Sequence, residues 1–160
     1  MVKRTARYAL LTSLAIALSW LESMVPVPGL LPGMKIGLAN LVVVFALFRM
    51  SFKDAAGISL ARAVLVSLMF GNAYSFAYSL AGAVLSLGVM AGLKKLDKFS
   101  IIGVSIAGGV SHNLAQILVA MAVMGTARLG WYLPALLVSG TAAGTAIGAA
   151  GGAVVKRIRF

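Results

Sequence analysis

PVPGLLPGMKIGLAN, residues Pro26 to Asn40, sets three prolines and three glycines between two long apolar runs. Proline fixes φ and lacks an N–H, and glycine tolerates positive φ, so the helix before this stretch cannot continue through it. A structured loop follows. Lys35 and Asn40 stand where the loop hands over to the next apolar run, a place where polar side chains are costly and usually have a reason. Two readings are open: a loop over a binding cavity, or a tight outer connection whose Lys35 reaches to lipid headgroups.

Working outward, apolar sequence dominates on both sides. Hydrophobic residues make up 61% of the 160-residue chain, charged residues 11%, and the mean hydropathy is +1.03, far from the composition of a soluble domain. At about 20 to 27 residues per span with its loop, the chain has room for six transmembrane helices and no separate soluble domain. The runs fall at about 8–25, 35–50, 54–70, 74–93, 100–124 and 131–155. The expected fold is therefore an all-α integral membrane protein, one domain over 1–160, built as a six-transmembrane-helix bundle. The first run follows Lys3, Arg4 and Arg7 in the manner of a signal peptide, but it continues to Val25 and is read as an uncleaved span.

Charge sets the orientation. Eleven of the fourteen Lys and Arg residues lie in the N-terminus, the second and fourth links and the C-terminus; Lys35 and Arg128 lie in the alternate links. By the positive-inside rule both termini are expected to be cytoplasmic. The net charge of +11 is thus mostly an orientation signal, and no nucleic-acid partner is expected. The lipid bilayer is the expected surrounding.

Small residues mark close helix contacts. Ala9, Ser13 and Ala17 repeat every four residues in the first run, Ala55, Ser59, Ala63 and Ser67 in the third, and Gly140, Gly144, Gly148 and Gly152 in the sixth, where they let backbones approach.

Polar side chains inside the apolar runs are the candidate site. Arg62 lies too deep for easy snorkelling and should face the interior, where it binds an anion or pairs with Glu22; Asp54, eight residues away, is beyond the (i, i+4) reach. His112, Asn113 and Gln116 share one helix face about halfway across the fifth run. Tyr74 and Tyr78, with Asn72 just before them, form either a ring-stacking wall or an interfacial aromatic belt. With Lys35 and Asn40 these make the expected substrate-binding set, and the two cations favour an anionic ligand. One histidine and no cysteine give no metal site. There is no P-loop, and the three acidic residues are scattered, so neither a cofactor nor catalysis by the chain alone is expected.

Four stretches together resemble a known family: PGMKIGLAN (Pro32 to Asn40), LARAVLVSLMFG (Leu60 to Gly71), SLAGAVLS (Ser79 to Ser86) and GVSIAGGVSHNLAQ (Gly103 to Gln116). The chain is similar to the Gx transporter family, bacterial membrane proteins also labelled heptaprenyl diphosphate synthase component I. That family looks like the substrate-binding S-components of energy-coupling factor (ECF) vitamin transporters. The resemblance implies a pocket under the first outer loop and a small-residue face on the first helix, matched here by Ala9, Ser13 and Ala17. That face would dock on a transmembrane coupling protein attached to an ATPase pair. The implied ligand is a small, anionic vitamin-, flavin- or isoprenoid-like compound. The synthase label implies a rival, a membrane subunit associated with polyprenyl diphosphate synthesis, although the chain has no Asp-rich motif for binding a magnesium diphosphate.

Overall fold

The structure, a computed structural model, describes residues 2–24, 37–71 and 73–158. It is an all-α membrane bundle. Six α-helices follow one another: α1 Val2–Met24, α2 Asn40–Arg49, α3 Phe52–Phe70, α4 Ala73–Lys95, α5 Ile101–Met124 and α6 Leu133–Arg157. A short 3-10 helix, Ala127–Tyr132, leads into α6, and there is no strand among the described residues. The expected Pro26–Asn40 loop, with Lys35, lies outside the described residues up to position 36, as does Asn72.

Local chemistry explains several boundaries. Ser51 starts α3 with a reciprocal capping box: its hydroxyl accepts from the Asp54 N–H at 3.2 Å while the Asp54 carboxylate accepts from the Ser51 N–H at 3.3 Å. Ser100 caps α5 through the Gly103 N–H, and Gly125, at φ 62°, ends it in the left-handed conformation that glycine adopts freely. Pro134 sits in the first turn of α6, where its missing N–H costs nothing.

Three stretches, Ala73–Lys95, Ile101–Met124 and Ala127–Arg157, are each long and apolar enough to cross a membrane. The second apolar run, expected as a span over 35–50, is helical only over Asn40–Arg49, with a turn at Leu38 and Ala39. Ten residues give about 15 Å of helix, half the hydrocarbon thickness. This short helix is the centre of the bundle. Val42 through Leu47 are all buried, which is what an all-round apolar helix requires, and α1, α3 and α6 pack around it.

The other packed unit is α4–α5–α6, with α5 in the middle. An added Cβ at Gly144 would meet the Ile106 Cα at 2.6 Å, and one at Gly148 the Ile102 Cα at 2.7 Å. The α5 and α6 backbones therefore touch along the expected glycine row. The row does not extend to Gly152, which faces open space; Gly151 turns inward to Val44 instead. Steps of four residues overshoot a 3.6-residue turn by roughly 40° each, so by Gly152 the row has rotated away, whereas eleven residues nearly complete three turns.

Most of the described basic residues gather at one end of the bundle. Arg4 at the start of α1 meets Asp54 at the start of α3, with Nη2 to Oδ1 at 2.8 Å. Arg49 at the end of α2 donates through Nε to the Val155 carbonyl near the end of α6 at 2.8 Å, and through Nη2 to the same oxygen. Lys94 at the end of α4 donates to the Leu47 carbonyl and lies 5.4 Å from the centre of the Phe48 ring. Cations thus complete carbonyls left open at two helix C-termini, the location where positive charge is favoured.

Candidate functional site

Between the helices, displaced toward the end opposite the basic one, is a cavity of about 50 Å³, room for a few water molecules. Every α-helix contributes. Ser19 and Glu22 come from the last turns of α1, Asn40 and Val44 from α2, and Arg62, Ala63 and Val66 from α3. Ser79, Ser86 and Met90 of α4 face His112, Asn113 and Gln116 of α5, and α6 closes the wall with Gly140, Ala143, Gly144 and Ile147.

Five of the expected site residues are therefore brought together: Asn40, Arg62, His112, Asn113 and Gln116. Their common placement follows from helix geometry. His112 and Gln116 are one turn apart on the inner face of α5, and Asn40 opens α2 where the chain turns into the bundle. Tyr74 and Tyr78 do not line the cavity; Tyr74 is 60% exposed, at the start of α4. Lys35 and Asn72 lie outside the described residues.

Arg62 dominates the electrostatics. Its Nη1 reaches the Ser19 hydroxyl at 3.5 Å, the limit of a hydrogen bond, while Nε is shut off from solvent with no partner among the described residues. Glu22 also lines the cavity, and its charge acts on Arg62, so Arg62 faces the cavity with Glu22 as its charged neighbour there. Glu22 has a further task, since its carboxylate accepts from the Gly37 N–H. Gly37 adopts φ 81° and a Cβ there would crowd the Asn40 amide at 3.1 Å. The glycine turns the chain so that its N–H meets Glu22 and Asn40 can begin α2.

Asn113 is partly committed to the fold. Its Nδ2 donates to the Leu136 carbonyl at 2.8 Å and to the Ser139 hydroxyl at 3.3 Å, tying α5 to α6. His112 lies directly on the α4 backbone: a Cβ at Gly82 would meet its ring at 2.6 Å. Among the described residues no three His, Cys, Asp or Glu side chains gather into a group that could hold a metal ion.

The hydroxyl wall is not apparent from the sequence. Ser79 and Ser86 are seven residues apart on one face of α4, with Gly82 between them, and Ser105 stands two turns before His112 on α5. The signal is there as the spacing of serines on apolar helices, but the same spacing serves ordinary helix packing.

A polar cavity with one incompletely bonded guanidinium thus lies inside an all-α membrane bundle. The family profile for heptaprenyl diphosphate synthase component I matches residues 11–154, and the chain belongs to that family. No curated protein and no solved structure matches it.

Proposed function

We propose that the chain is the substrate-binding membrane subunit of an ECF-type transporter, taking up a small anionic compound. The observation that carries this reading is Arg62 in the inter-helix cavity with its Nε unpartnered among the described residues. A buried cation with donor capacity to spare is costly to keep unless something binds it. In this reading the basic end is cytoplasmic, both termini lie inside, and the cavity faces the outside of a bacterial inner membrane. Ala9, Ser13 and Ala17 are exposed on α1, which supports their use as the docking face for a transmembrane coupling protein carrying an ATPase pair.

The family's name favours a second reading, a membrane subunit that serves a soluble polyprenyl diphosphate synthase. The chain is non-catalytic in both. Of its three acidic residues only Glu22 lines the cavity, which leaves no carboxylate cluster to hold a magnesium diphosphate.

Affinity purification of the tagged chain from its native membrane separates the two. Recovery of an ATPase pair, lost on Ala9→Leu with Ala17→Leu, is the expected result. Recovery of an Asp-rich synthase in place of the ATPases would replace the transporter reading with the second one.

A further inference from the structure

The site's charge, size and lining narrow the ligand further than the word anionic. Arg62 and Glu22 are the charged side chains among the described cavity residues, so their formal charges cancel. A ligand with a single negative group adds one charge beside a guanidinium able to receive it. A diphosphate would bring two or three with no further cation among the described cavity residues to offset them, and uncompensated buried charge is strongly disfavoured.

The geometry at Arg62 points the same way. A guanidinium offers Nε and one Nη as parallel donors that match the two oxygens of a carboxylate. Here Nε is buried and unpartnered among the described residues, and the Nη1 bond to Ser19 is long. Nε is thus a buried donor for which the described residues supply no acceptor.

The described walls favour a small, polar ligand. Glycine backbone on α5 and α6 and the hydroxyls of Ser79, Ser86 and Ser105 form much of the described lining, beside the apolar side chains of Val44, Val66, Met90 and Ile147. Tyr74 and Tyr78, the rings that could stack a flavin, stand outside it. At about 50 Å³ the cavity accepts a group a few water molecules in size.

We propose that the cavity takes a short hydrophilic monocarboxylate, its carboxylate on the Nε edge of Arg62 and its hydroxyl or amino groups on Asn40, His112 and Gln116. This rests on reading the cavity as the substrate site, but not on the identity of the partner.

The test uses the full chain in lipid nanodiscs, with thermal stabilisation as the readout of binding. The probes are glycolate, lactate, glycerate and β-alanine, with glycerol, glycerol 3-phosphate, flavin mononucleotide and farnesyl diphosphate as contrasts. At least one monocarboxylate should stabilise the protein saturably while the contrasts do not. Arg62→Gln and Arg62→Lys should each weaken that binding at least tenfold, because lysine keeps the charge but loses the fork. Should either variant fail to fold, Ser79→Leu, which fills the cavity from α4, should abolish binding in its place. Stabilisation by none of the monocarboxylates, or Arg62-dependent stabilisation by any of the contrasts, would overturn the proposal. A chain that binds a monocarboxylate yet recovers no ATPase pair would break the transporter reading and leave this one standing; the opposite pair of results would do the reverse.

Discussion

Arg49 and Arg62 are both arginines set against the bundle interior, and they are bonded in opposite ways. Arg49, at the basic end, gives two donors to the Val155 carbonyl and closes the C-terminus of α6. Arg62, at the cavity end, has one long bond to Ser19 and a buried Nε with no partner among the described residues. An unsatisfied buried donor is costly, so in the proposed reading Arg49 serves the fold while Arg62 keeps a donor for a ligand. The two ends of the bundle differ in the same sense: carbonyls and cations complete one another at the basic end, while the other end holds a polar cavity.

Three substitutions probe that contrast. The largest effect is expected at Gly144, which belongs to both regions because it joins α6 to α5 and also lines the cavity. Gly144→Val forces side-chain atoms into the Ile106 backbone and should cost about 3 kcal/mol, with loss of both thermal stability and ligand binding. Arg49→Gln should cost about 2 kcal/mol, the range for hydrogen bonds to a charged group, and leave binding intact; a binding defect equal to that of an Arg62 variant would dissolve the distinction between the ends. The smallest effect belongs to Arg4, whose side chain is 67% exposed in its pair with Asp54. Arg4→Gln should change stability by less than about 0.5 kcal/mol, measured by denaturant unfolding in detergent.

The sequence disclosed the bundle more fully than the site. Apolar run lengths and the alternation of basic links required six helices, and the basic clusters do meet at one end. The shortness of α2 was hidden, because apolar content cannot distinguish a span from a helix enclosed by its neighbours; Gly37, in its left-handed turn, is what delays the helix to Asn40. Arg62, His112, Asn113 and Gln116 were legible as polar residues in apolar runs. Tyr74 and Tyr78 lie one turn apart on α4, yet the rotation of that helix gives the cavity Ser79 and Ser86 instead. Helix rotation about its own axis depends on packing against neighbours, here the Gly82 contact with His112 and the Gly108 contact with Met90, and periodicity within one helix does not contain it.

The most direct measurement compares the small molecules retained by wild type, Arg49→Gln and Arg62→Gln after purification of each full chain from its native membrane, by mass spectrometry. The account predicts one anionic compound enriched in wild type, kept by Arg49→Gln and lost from Arg62→Gln. The same set of compounds in all three, or a loss from Arg49→Gln alone, would contradict the assignment of Arg62 to a ligand and Arg49 to the fold.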